Sequence, residues 1–475
     1  MQFAPDLDPA TPGVLTDVVN VIPTQKGYAG CYTGTNIAYS ALASECRNLV
    51  NTKKLDDTRR FFAATQTKIY EGNSGTWTER QAGTPDIGAE NRWAFAQFGD
   101  YTLACAKSVV LQASSSGAFS TMTAPSAGCM AVGQGFVMLG NTTDGTYGDS
   151  GDRWWCSALN DHTNWTPSGT TQCTTGRLVD TTGPIVAMTG YGSTFVAFKS
   201  ESIYVGSYVG SPSVFQWSLV PGQVGVRNKE AIAQAGQQLF FLGNDNFYLF
   251  DGSRCVPIGN PLREWFFKSE VSESYSYKTV AAYDRPNQFV WWFYVPTGQT
   301  TLTRALVYHI TTGKWGKVHL AVEAAATYLS DPITIDGLDT LSATIDGLPD
   351  IAYDSPYWSA ASQVMAYADT SHQVKALSGN STNSSITTGS VGDVGTYSLI
   401  SRVKPRFLLA PASATLTHQY DNDYGDDWTT SGISTLANGA FDLLHSARWH
   451  RGTVDFVGPW EMVDFKATLT QDGEE

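Results

Sequence analysis

The densest run of potential ligands in the chain is Asp421-Asn422-Asp423-Tyr424-Gly425-Asp426-Asp427-Trp428. Carboxylates in this number suit a hard cation such as Ca²⁺, which binds through oxygen. The EF-hand order D-x-[DN]-x-[DN]-G lacks its third ligand, however, and no Glu follows at the required offset. A polar hairpin tip is the better reading, because Asp is common in turns. The D-x-G-x-x-W part also fits an Asp-box, a structural turn with Trp packed beneath it, and Asn73-Ser74-Gly75-Thr76-Trp77 is a degenerate version. Glycoside cleavage would need two carboxylates across the sugar, or a Tyr nucleophile, and nothing in the spacing pairs such groups or gathers arginines for an acidic sugar. The seven His never form H-E-x-x-H, and His445 and His450 read as surface strand residues rather than ligands. No G-x-S-x-G elbow, P-loop or G-x-G-x-x-G fingerprint occurs. The sequence thus predicts no catalytic residue, no cofactor and no metal.

The elements that would position any site are strands. Tyr308–Leu320, YHITTGKWGKVHL, is two apolar alternating runs hinged on Thr-Thr-Gly, a β-hairpin signal. Variants recur at Arg59–Arg80, Arg92–Met122, Met130–Asn141, Pro184–Pro221, Ala231–Gly259 and Thr279 onward, with a weaker copy at Gln363–Gly379. Each unit is an apolar strand, a Gly/Asp turn, a strand rich in aromatics and an outer strand. Four short strands in roughly 40 residues is the signature of propeller blades. The predicted fold is all-β: a β-propeller of about six blades, with Trp77 and Trp315 packing between blades. Trp154-Trp155 and Trp291-Trp292 lie inside strand patterns and read as core. A stack of two β-sandwich domains fits the spacing less well.

Two segments break the rhythm. Asp331–Ser359 repeats ITIDGL and ATIDGL ten residues apart and is rich in Asp and Pro. It reads as an extended arm between subunits, with Ile335, Asp336, Leu338, Ile345, Asp346 and Leu348 as its assembly residues. Past Ser378, SGNSTNSSITTGSVGDVG is a polar connector. The expected division is an N-terminal segment with the first strands (1–55), blades (56–330), the arm (331–362), last blade strands and connector (363–395), and a small C-terminal β-sandwich (396–475).

The 475 residues are 42% hydrophobic and 16% charged, a composition that folds. The N-terminus has neither the basic patch nor the apolar core of a signal peptide. Seven scattered Cys, never in a C-x-x-C pair, suit a reducing cytoplasm. Net charge is −14, and no Lys or Arg occurs from Val318 to Val374. Such a surface repels nucleic acid, whose binding relies on cations that displace counterions.

GYAGCYTGTNIAYSALASECRNL, FFAATQTKIYEG, the paired IDGL segment ending DSPYW, and SRVKPRFLLA…YDNDYGDDW…ARWHRGTVDF together resemble the tail hub or nozzle proteins of short-tailed bacteriophages. This family includes the packaged-DNA stabilisation proteins. The resemblance implies a structural virion protein: a propeller in a homo-oligomeric, sixfold ring below the portal and adaptor. Such a ring retains packaged DNA, continues the ejection channel, and holds the needle or fibres. It would be assembled in the host cytoplasm, without membrane insertion. Asp331, Asp339, Asp350 and Asp354 would then line an acidic channel that keeps passing DNA from sticking. The competing expectations are a host-glycan-binding propeller and a sialidase-like glycosidase.

Overall fold

The computed structural model describes residues 1–37, 39–73, 75–329, 344, 363–381, 383–423 and 427–474. Its organising unit is an antiparallel sheet of four strands joined by tight turns. Three such sheets are Asn48–Glu79, Ile185–Leu219 and Ile232–Pro257. A fourth unit, Val280–Asp284, Phe289–Tyr294, Arg304–His309 and Trp315–His319, has the same order. Between Ala94 and Arg177 lies one sheet of seven strands. Its long central strand, Ser120–Gly133, pairs through its first half with Val109–Ser114 and through its second half with Phe136–Asp144.

The remaining unit is assembled from distant pieces. Ala324–Leu329, Gln363–Ala368 and Val374–Ser381 pair in order, and Tyr32–Asn36 from the N-terminal region adds the outermost strand. The first strands of successive units contact one another, except that Ile185–Tyr191 meets Lys229–Ala231, the turn leading into Ile232–Ala235, and Ala324–Leu329 returns to Asn48–Lys53. This closed circuit is a β-propeller arrangement, which removes most exposed sheet edges.

The strand Phe289–Tyr294, FVWWFY, is buried at every position. Alternation sends Val290, Trp292 and Tyr294 into one core, and Phe289, Trp291 and Phe293 into another. An unbroken apolar run is therefore what a strand sandwiched between two neighbouring sheets requires. In the turn of YHITTGKWGKVHL, Gly313 has φ +69°, a conformation L side chains rarely adopt. Three residues on, a Cβ on Gly316 would lie 2.4 Å from the Val21 carbonyl oxygen, so another strand approaches here. Lys317 pairs with Val21.

That pairing splices the terminal layers onto the propeller. One layer runs from Val21–Pro23 through Tyr28–Gly30, Glu461–Glu474 and Thr396–Leu409 to Phe441–Ala447. The other runs Gln2–Phe3, Val14–Val19, Ser384–Thr388, Trp449–Val457, Ser413–Asp421, Thr429–Thr435. Their shared core contains Phe3, Leu15, Tyr28, Ile400, Leu416 and Phe456. Trp460 stacks on Phe456 at 4.1 Å, and its indole N–H donates to Ser384 Oγ at 2.7 Å.

The boundaries differ from the sequence reading in physical detail. Residues 1–55 are not one segment: the first strands enter the terminal layers, Tyr32–Asn36 completes a blade, and Asn48–Lys53 begins the circuit. The polar connector within 363–395 contains the strand Ser384–Thr388, whose Ile386 is fully buried. Pairing between distant strands decides these placements, and polarity alone does not reveal it.

Candidate functional site

Of the residues singled out in the sequence, Trp315 is fully buried. Its ring packs against Trp292 and Tyr308 of its own sheet, and its Nε1 donates to the Ile258 carbonyl at 3.2 Å. Trp77 is only half-buried: it stacks on Tyr39 at 4.6 Å and donates to the Ser40 carbonyl at 2.8 Å. It sits on the outermost strand of its sheet, where only one face is covered. Ile335, Asp336, Leu338, Ile345, Asp346 and Leu348, and also Asp331, Asp339, Asp350 and Asp354, lie outside the described residues.

One of the two histidines read as surface strand residues departs from that expectation. His450 is buried, not on the surface, and so is His418. His418 Nε2 and His450 Nδ1 are 3.0 Å apart, and His445 packs against His418 at 5.6 Å. Burial, then the charges that His450 and His445 would carry, push His418 down to about 4. These imidazoles form part of the core between the terminal layers. Among the described residues no group of three or more His, Cys, Asp or Glu could hold a metal ion.

The sequence did not point to a polar cavity lined by charged residues. At one end of the propeller axis, where the first strands begin, lies a cavity of about 560 Å³. Its wall is built from the residues that lead into those strands: Glu45 and Arg47, Glu90–Arg92, Arg227–Glu230, Tyr277-Lys278 and Glu323. Lys107, Thr300–Leu302 and His372 join from turns between second and third strands.

Main-chain carbonyls are gathered here by cations. Arg92 donates to the Glu323 carbonyl at 2.8 Å and to the Arg47 carbonyl at 3.4 Å. Lys229 Nζ donates to the Arg92 carbonyl at 2.7 Å and the Gly128 carbonyl at 3.0 Å. Two side chains thus tie the starts of four first strands to one another and to the middle of Ser120–Gly133. Arg227 donates to Ser276 Oγ at 2.9 Å and to the Asn244 carbonyl at 3.1 Å. Desolvation lowers the Arg92 and Arg227 pKa values from their usual range.

The carboxylates are less evenly matched. Glu45 pairs with Arg47 at 3.0 Å, and Glu90 pairs with Lys278 at 3.4 Å while accepting from Tyr277 OH at 2.8 Å. Glu323 holds His372 at 2.7 Å and accepts from the Cys46 N–H at 2.8 Å. Glu230 makes no hydrogen bond or ion pair among the described residues; burial raises its pKa, against the pull of Lys229 and Arg92. The mouth can therefore neutralise charge and brace the ring. A local signal did exist, since a charged residue stands one to three positions before several first strands, as at Arg47, Arg92, Glu230, Lys278 and Glu323.

No family model and no curated protein matches the chain. Solved structures similar to it include the extracellular domain of the hybrid two component system BT4673 from B. thetaiotaomicron, at 9% identity and TM-score 0.41 over 88% of this chain. The chain spans 47% of that structure's length. BamB from Moraxella catarrhalis is similar at 9% identity and TM-score 0.39, over 76% of this chain and 96% of that one. The Pan2 WD40 domain of Neurospora crassa follows at 7% and 0.37, over 70% and 89%. Topology, rather than these distant likenesses, defines the class: an all-β protein with a β-propeller arrangement. Among the described residues no helix is long and apolar enough to cross a membrane.

Proposed function

We propose that the chain is a structural virion protein, the tail hub or nozzle of a short-tailed bacteriophage. In this reading it joins a ring below the portal and adaptor, retains packaged DNA, and anchors the needle or fibres. The finer architecture is part of the proposal. If Ser120–Gly133 serves two blades, the circuit has seven blades instead of about six. The terminal layers form a β-sandwich that includes the N-terminal strands as well as 396–475.

The observation that carries an assembly role is a pair of open edges. Thr429–Thr435 ends one terminal layer and Phe441–Ala447 ends the other, and the two contact each other. They expose Ile433 (71%) and Leu444 (80%). Open edge strands with large apolar side chains are templates for pairing with another chain unless blocked. The segment read as an arm gives a second support. Leu329 pairs with Gln363 across the ladder, so its two ends leave and re-enter the blade at neighbouring positions. An insertion so anchored can reach a neighbour without disturbing its own blade.

A closed ring follows when one heterologous interface repeats through a closing rotation. The test is incorporation. Particles made with Ile433→Lys/Leu444→Lys chain should lack this protein, although the purified variant folds. Normal incorporation of the folded double variant would remove the edges from the assembly role.

A further inference from the structure

The charge at the axial mouth is opposite to that of the molecule around it. The chain carries a net −14, yet Arg92, Arg227 and Lys229 form no ion pair with any carboxylate among the described residues, their polar contacts being the main-chain carbonyls and hydroxyl named above. Glu230 is the one lining carboxylate near them without a bonded partner, and its pKa is raised by burial. Arg227 Nε is a buried donor without a partner among the described residues. Groups left so at a cavity wall are costly unless something else satisfies them.

We propose that this mouth is a receptor for a small multivalent oxyanion, a carboxylate- or phosphate-bearing molecule. A volume of about 560 Å³ falls in the range of small-molecule pockets. Low-dielectric walls focus the field of the three cations into the cavity, while the acidic exterior repels anions elsewhere. The rim hydroxyls of Thr300 and Thr301 supply neutral donors. Glu230 opposes the ligand when ionised; in its protonated form it donates a hydrogen bond instead. The proposal does not depend on the virion reading.

Isothermal titration of the full chain with citrate and with pyrophosphate tests it, with maltotriose as the uncharged control. One site per chain should saturate with citrate, pyrophosphate or both, and maltotriose should give no heat. Which anion binds more tightly distinguishes a carboxylate from a phosphate ligand. Arg227→Gln and Lys229→Gln should each weaken binding at least about tenfold, as loss of a charged hydrogen bond implies. Glu230→Gln should bind as tightly as the parent chain or more so, which keeps the test decisive if a cation variant fails to fold. No saturable heat with either anion, equal affinity in the folded Arg227→Gln chain, or weaker binding by Glu230→Gln would each overturn the proposal.

Discussion

Trp315 and Phe247 belong to consecutive sheets, and their ring centroids lie 5.0 Å apart with the planes at 56°. Phe247 also meets Trp292 edge-on at 4.9 Å. The outermost strand of one unit is thus keyed to the third strand of the unit before it. Trp315→Ala should cost about 3–5 kcal/mol, as other large-to-small core changes do. Trp77, half-buried on its outer strand, should cost clearly less when truncated. Urea unfolding followed by circular dichroism reads both, and an unchanged midpoint in Trp315→Ala would contradict the packing described.

A second lock joins two neighbouring sheets through buried charge. Arg60, 5% exposed, donates to Glu71 at 2.6 Å, to the Ser114 carbonyl at 3.0 Å and to the Gly117 carbonyl at 3.1 Å. Arg80 donates to the other oxygen of Glu71 at 2.7 Å. Removing Glu71 leaves a buried guanidinium without its counter-charge, so Glu71→Gln should destabilise by about 3–5 kcal/mol. Lys68→Gln breaks only an exposed pair with Glu79 and should leave the unfolding midpoint where it is.

The buried histidines set an acid dependence. In the folded chain His418 is held down to about 4, from an ordinary 6.5, by burial and then by His450 and His445. His450 is lowered as well, again chiefly by burial. The unfolded chain therefore takes up protons between about pH 6.5 and 4 that the folded chain refuses. Stability from this source is intact above 6.5, falls through that window and is lost below 4. The His418 contribution is roughly 3 kcal/mol. Urea midpoints from pH 7.5 to 4.5 should fall less steeply in His418→Asn than in the parent chain.

Much of the propeller is legible locally, because each hairpin carries its own turn and alternation. FVWWFY and YHITTGKWGKVHL show their strands, their turn and their burial within two short runs of letters. What escapes is what distant chain segments decide. Met462 pairs with Tyr28 and Lys375 with Asn36, and neither pairing leaves a local trace. HSARWH reads as a surface strand, yet His450 faces the inner side, where His418 meets it. Ser120–Gly133 looks like the end of one repeat and the start of another because it is bonded as both. At the axial mouth, Arg92 meets Glu323 across 231 residues of sequence, so only the recurrence of a charge before the first strands hinted at the cluster.

Affinity for duplex DNA should be weak, even for a protein with the proposed place in the path of a genome. Net charge is −14, and the cations of the axial mouth line a cavity of about 560 Å³, a volume that suits a small molecule and not a duplex. Few exposed cations are left to displace counterions, so the salt slope should be shallow. Fluorescence anisotropy with a labelled duplex should show no saturable binding at physiological salt. Micromolar or tighter binding there would point to a protein that grips the genome end.

The central claim is a place in the virion. An antibody raised against the purified chain, imaged by electron microscopy on short-tailed particles from the cells that produce it, tests that claim most directly. Label at the single vertex where head meets tail, in most particles, is the result the account predicts. Particles without label, alongside abundant free protein in the same lysate, would contradict it.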